Sequence, residues 1–175
     1  MVRNIFCKNN GFSLMEIVSV LVVIGILAAV AVSRFTNYDA EVHTGVDALK
    51  AHLRYAQTMA MHSNPTDIDQ TTTTYGIQCA SNSYWLFKGT DTADAIFLPE
   101  EEKFVSNRKI NLTSKKIRVS DFTIYFDNRG IPYSTYTNIT ANTPLSAPVA
   151  VYVQPLTAAA PKIAVTITPL TGYIP

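Results

Sequence analysis

The sequence predicts an α+β fold in which one long N-terminal helix, with a transmembrane first half and an amphipathic second half, packs on a C-terminal antiparallel β-sheet head. Three observations predict it: an apolar run over 12–33, a helical apolar stripe over 34–63, and short strand-like runs over 64–175. The 175 residues fit one such domain. Hydrophobic residues make up 47% and charged residues 15%, which favours membrane contact and excludes disorder of the whole chain.

The apolar run from Phe12 to Ser33 contains one charged residue, Glu16. As a helix it would rise roughly 33 Å, which matches the hydrocarbon core of a bilayer. Arg3 and Lys8 precede it, and positive charge holds that end on the cytoplasmic side. A carboxylate at bilayer depth costs roughly 2.5 to 3.5 kcal/mol on insertion scales, so Glu16 needs a functional or pairing explanation.

The stretch KNNGFSLME, residues 8–16, followed by the apolar run, resembles the class III leader of type IV prepilins and of the pseudopilins of type II secretion. In that family a prepilin peptidase cuts after the glycine and N-methylates the new first residue. The resemblance therefore implies a cleaved leader over 1–11, cleavage between Gly11 and Phe12, and methylation of Phe12. It also implies that Glu16 pairs with the amino terminus of a neighbouring subunit during assembly.

The resemblance further implies where the chain acts and with what. The expected partners are other pilin or pseudopilin subunits, prepilin peptidase and the inner-membrane assembly platform. The expected location is the bacterial inner membrane, in a single pass with the head in the periplasm, and then the pilus or pseudopilus. Neither a cofactor nor an enzymatic activity is expected.

Apolar residues continue at steps of three and four beyond the membrane segment, from Phe35 through Val42 and Leu49 to Ala60. Charged residues occupy much of the remaining surface, so the sequence predicts that an amphipathic continuation over 34–63 docks on the head. The helix is expected to end before Pro65.

Nine short runs of strand composition follow Pro65, separated by Thr, Asn, Ser, Asp, Gly and Pro. They are 75–79, 84–88, 95–98, 109–112, 117–119, 122–126, 131–134, 149–153 and 163–168. The turn 127–130 is expected to join two of them as a hairpin, with Asn128 and Gly130 supplying positive φ.

Three further segments resemble minor (pseudo)pilins of the GspH/FimT type. They are Leu53–Gln57 leading into Ala60, the turn FDNRGIP at 126–132, and the closing residues 167–174. The resemblance implies a minor structural subunit. A subunit displayed at a pilus tip for DNA uptake or adhesion remains the alternative.

Other residue clusters predict no site. Calcium would need oxygen ligands around one point, and the acids at 67, 69, 91, 94 and 100–102 are too loosely grouped. The three histidines are expected on a helix surface, without metal, and Cys79 has no cysteine partner in the processed chain. Basic residues at 108, 109, 115, 116 and 118 suggest a DNA patch, but a net charge of +1 provides no global field, so nucleic acid is not an expected partner. A membrane-anchored periplasmic enzyme would need a catalytic constellation that the sequence lacks.

Overall fold

The computed structural model describes residues 13–35, 38–63, 71–99, 107–156 and 162–175, without the side chains of 31–39. The chain divides into two compact units, Met1–Tyr38 and Asp39–Pro175. We refer to Asp39–Pro175 as the second unit.

The described residues form two helices where the sequence predicts one. Helix α1 spans Leu14–Phe35 and helix α2 spans Tyr38–Met61. The prediction of a single long N-terminal helix packed on a sheet is therefore wrong. Apolar periodicity continues in the sequence across residues 36 and 37 and takes no account of helix propensity, which is low for threonine and asparagine.

Among the described residues, no helix combines the length and the hydropathy that crossing a membrane requires. The predictions of a transmembrane segment and of a single-pass inner-membrane location are therefore wrong.

Ten strands follow α2 in the described part of the second unit. They are β1 Tyr75–Ala80, β2 Ser83–Lys88, β3 Ala95–Ile96, β4 Ile110–Asn111, β5 Ile117–Val119, β6 Phe122–Phe126, β7 Pro132–Tyr136, β8 Asn142–Pro144, β9 Val149–Pro155 and β10 Ile163–Ile167. A strand lies at each of the nine predicted positions. β8 was not predicted, because asparagine and proline are depleted in strands.

The strands form two sheets whose described pairings are all antiparallel. The larger has the order β3-β2-β1-β6-β7-β8, with β4 also on β2, and the smaller has the order β10-β9-β5. The hairpin β1–β2 turns through Ser81 and Asn82, whose φ values of 51° and 64° are those of a type I′ turn. Strands β5 and β6 follow one another across Ser120 and Asp121 and so connect the two sheets.

One face of α2 forms the core with both sheets. Its buried stripe comprises Val42, Val46, Leu49, Leu53, Ala56 and Ala60. These residues cluster with Ile77, Leu86 and Ile124 of the larger sheet and with Val151, Val165 and Ile167 of the smaller sheet.

A second, aromatic cluster lies on the other face of the larger sheet. It contains Trp85, Phe87, Tyr125, Tyr133 and Tyr136. Because side chains alternate across a strand, Trp85 and Phe87 lie on this face while Tyr84 and Leu86 join the α2 core.

Candidate assembly site

The first turn of α1 carries the candidate residue Glu16 and is capped by Ser13. The Glu16 N–H donates to Ser13 Oγ at 3.2 Å and to the Ser13 carbonyl at 3.0 Å. A serine accepting from the N–H three residues on is the usual N-cap arrangement, and an acidic residue in the first turn complements the helix dipole. The Ser13–Glu16 spacing therefore both starts the helix and fixes the carboxylate at its N-terminal end.

The described surface of α1 is apolar and uncovered. Its large hydrophobic side chains are 47% to 80% exposed, from Leu14 to Val30. Glu16 is the one charged residue among the described side chains of α1, and it shares a shallow groove with Ile17, Val20 and Leu21. An apolar surface of this extent marks an interaction site. A partner that covers this apolar surface would be apolar itself and would place a cation beside the Glu16 carboxylate.

Gly11 and Phe12, the predicted cleavage and methylation residues, lie outside the described residues.

The segments 53–57, 126–132 and 167–174 meet at one place in the second unit. Gln57 Nε2 donates to the carbonyl of Gly130 at 2.9 Å and to that of Thr171 at 3.0 Å. One turn earlier on α2, Arg54 Nη2 donates to the carbonyl of Ile174 at 2.8 Å. We call Arg54, Gln57, Gly130 and residues 171–174 the Gln57 junction. It ties α2, the β6–β7 turn and the closing segment together, and sequence inspection alone did not predict that these segments touch.

Gly172 allows the junction to close. Its φ is +61°, and a Cβ there would lie 2.6 Å from Gln57 Nε2 and 2.7 Å from the Gly130 carbonyl oxygen. Both distances are shorter than a carbon contact permits, so a side chain at 172 would separate the turn from the closing segment.

The β6–β7 turn is held by Asp127, which is 1% exposed. Its Oδ1 accepts the N–H groups of Arg129 and Ile131, both at 2.9 Å. Its Oδ2 accepts Arg129 Nε at 3.0 Å and Nη2 at 2.9 Å, and the Tyr133 hydroxyl at 3.0 Å. Gly130 has φ +77°, as predicted, whereas Asn128 is not among the residues with positive φ.

This arrangement shifts the titration of both partners of Asp127. Burial, and next the charge of Asp127, raise the pKa of Tyr133 above its usual 10.0. The hydrogen bond to Asp127 and its charge raise the pKa of Arg129. The buried Asp127 carboxylate, bound by Arg129 and Tyr133, therefore holds the turn in the conformation that presents the Gly130 carbonyl to Gln57.

Two other residues lie in the core. The prediction that all three histidines are on the surface is wrong for His52, which is 2% exposed and hydrogen-bonds through Nδ1 to the Tyr84 hydroxyl at 2.8 Å. The apolar neighbours at 49, 53 and 56 already indicated a buried position. Cys79 is buried and not in a disulfide; burial, and next the charge of Asp121, raise its pKa to about 12.

The acidic residues considered as calcium ligands are described only in part. Within the described ranges, no group of three or more His, Cys, Asp or Glu side chains is arranged to hold a metal. Asp67, Asp69 and 100–102 lie outside those ranges.

The basic residues are engaged separately. Lys116 pairs with Glu41 at 2.9 Å. Arg108 lies over the Phe97 ring and Lys109 over the Trp85 ring. These residues therefore contact different neighbours.

No family model, curated protein or solved structure matches this chain.

Proposed function

We propose that this chain is a structural subunit of a pilin-like or pseudopilin-like filament, cleaved after Gly11 and assembled through α1. The observation that carries the proposal is the uncovered apolar surface of α1 with a single carboxylate, Glu16, in its capped first turn. A helix of this composition is stable in water only when another apolar surface covers it. Neighbouring copies of such helices provide that surface.

Glu16 gives the assembly its register. A carboxylate buried between apolar helices costs several kcal/mol unless a cation meets it. The cation that cleavage after Gly11 would create is the amino terminus of Phe12, four residues before Glu16 in the chain. The Glu16 of one subunit then selects the axial position at which the amino terminus of the next one reaches it. A buried ion pair of this kind specifies position more than it stabilises.

The finer proposal is a minor subunit of the GspH/FimT type. Its support is that the three segments carrying that resemblance form one hydrogen-bonded unit, the Gln57 junction. The partners in this proposal are other pilin or pseudopilin subunits and prepilin peptidase.

Processing is tested with Gly11→Val, because a side chain before the cut obstructs the peptidase. We expect an uncleaved chain, measured by intact mass in cells that produce prepilin peptidase. Wild-type chain that keeps residues 1–11 in assembled filaments would refute the proposed processing.

Assembly is tested with Glu16→Ala, with Glu41→Gln as the matched control. Glu41 is also a helical glutamate, and its exposed pair with Lys116 contributes little. We expect at least a tenfold loss of subunit from purified filaments for Glu16→Ala and no loss for Glu41→Gln, by quantitative immunoblot. Equal incorporation of the two variants would refute the role of Glu16.

A further inference from the structure

Strand β10 forms one edge of the smaller sheet. It pairs with β9 in an uninterrupted register, with Val165 opposite Val151 and Ile163 opposite Val153. Strand β5 pairs with the other side of β9, so β9 is the central strand.

The hydrogen bonds of β9 show which backbone groups of β10 face outward. The Ser120 N–H donates to the Tyr152 carbonyl at 2.9 Å, and the Tyr152 N–H donates to Ser120 Oγ at 3.0 Å. The backbone groups of Tyr152 thus face the β5 side, and by alternation those of Val151 face β10. In β10, Val165 therefore bonds inward, while the N–H and carbonyl groups of Ala164 and Thr166 point away from β9.

No hydrogen bond between described residues occupies those outward groups of Ala164 and Thr166. The next outward group, the Thr168 N–H, donates to the Tyr173 carbonyl at 3.0 Å. The closing segment therefore covers the edge at Thr168, and the two residues before it are open.

The features that usually protect an edge are missing along 163–167. Those five residues carry no charge, no proline and no bulge. Strand β8, at one edge of the larger sheet, has both a proline, Pro144, and a register shift against β7. Natural proteins protect unused edges by such devices, so an unprotected edge is a pairing surface.

We propose that the β10 edge binds an extended, uncharged segment of a partner polypeptide, which adds as a fourth strand to the smaller sheet. The backbone groups of Ala164 and Thr166 bind its backbone, and the Thr168 cap limits the paired stretch to about five residues. Opposite Val165 the partner needs an apolar side chain, because that face of the sheet belongs to the α2 core.

The end of the edge adds an apolar contact for the same partner. Tyr173 is 63% exposed and Leu170 is 71% exposed. Leu170 also holds φ at +64°, an unfavourable conformation for leucine. A partner strand that extends past Ile167 therefore meets apolar side chains, which favours an apolar residue just beyond its paired stretch.

The test uses amide hydrogen exchange of the full chain, resolved by NMR, with a blocked peptide IAVTIT as the probe. This peptide copies residues 163–168 and has the alternating, uncharged pattern that the edge requires. In the free chain we expect the Ala164 and Thr166 amides to exchange at least tenfold faster than that of Val165. Millimolar peptide should slow both at least tenfold.

Thr166→Pro should abolish this protection, because it removes an outward N–H that no described bond uses, while Thr166→Ser should retain it. An unchanged urea midpoint of Thr166→Pro verifies folding, and Ala164→Pro replaces it if the fold is lost. Equal exchange of residues 164, 165 and 166 in the free chain, protection at other strands alone, or full protection in both proline variants would overturn the proposal. The proposal depends on the second unit alone, so failure of the Glu16 test would leave it standing.

Discussion

Gly172→Ala should be among the most damaging single-methyl changes in the second unit. The new Cβ places alanine at φ +61°, which costs about 1 to 2 kcal/mol. It also lies 2.6 Å from Gln57 Nε2 and 2.7 Å from the Gly130 carbonyl, so both hydrogen bonds of Gln57 are disturbed. Each neutral hydrogen bond contributes about 1 kcal/mol, so the total loss is about 3 to 4 kcal/mol.

Gly130→Ala is the matched control. Its φ of +77° gives the same backbone cost of about 1 to 2 kcal/mol, but its new Cβ would meet the flexible thioether of Met61 at 3.0 Å and Gln57 Nε2 only at 3.2 Å. The difference between the two variants therefore measures the more severe steric overlap at 172, beyond the backbone cost that both share.

Urea unfolding followed by tryptophan fluorescence measures both variants. The single tryptophan, Trp85, is buried in the second unit, so its emission reports the unfolding of that unit. For a slope of about 2 kcal/mol/M, a loss of about 3 to 4 kcal/mol lowers the midpoint by about 1.5 to 2 M. The full chain is measured in a mild detergent, because α1 exposes its apolar side chains.

A double-mutant cycle with Gln57→Ala completes the measurement. Once the amide is removed, Gly172→Ala should cost at least about 1 kcal/mol less than in the wild-type chain, because neighbouring residues are not additive. Equal losses for Gly172→Ala and Gly130→Ala, or strict additivity with Gln57→Ala, would refute the steric account of the junction.

Further predictions concern the core and its titratable groups. Leu53→Asp places a charge at a position that is 0% exposed and should cost several kcal/mol, whereas Ala51→Asp on the exposed side of α2 should leave the urea midpoint nearly unchanged. Because burial raises the pKa of Cys79 from its usual 9.0 to about 12, its stabilisation is complete below pH 9 and is lost as pH rises toward 12. Cys79→Ala should therefore flatten the fall in urea midpoint above pH 9, and an unchanged slope would contradict this. Asp127→Asn should lower the pKa of Tyr133 in an absorbance titration, since the Asp127 charge is one cause of its upward shift.

The strands could be located from the sequence because each carries its own local pattern. In β1 and β6, buried Ile77 and Ile124 alternate with residues of the other face, and turn residues bound each run. The sequence also predicted the buried stripe of α2, whose residues recur at steps of three and four from Val42 to Ala60.

Local patterns did not predict that the described residues form two helices, and they did not predict the contacts of the Gln57 junction. Apolar periodicity is continuous from Leu27 to Val46 and does not weigh the two poor helix formers at 36 and 37. The meeting of Gln57 with Gly130 and Thr171 depends on how the sheets fold over α2, which no local pattern encodes. The leader residues Gly11 and Phe12 stay a prediction from resemblance.

The Gln57 junction also constrains the order in which the second unit can be completed. Its three hydrogen bonds join residues 73, 114 and 120 positions apart. Closing such long loops costs entropy before the contacts repay it, which slows folding. During synthesis, α2 emerges well before residues 171–174, so the buried stripe of α2 waits for the strands that cover it. Completion of this unit is therefore a late step of its folding.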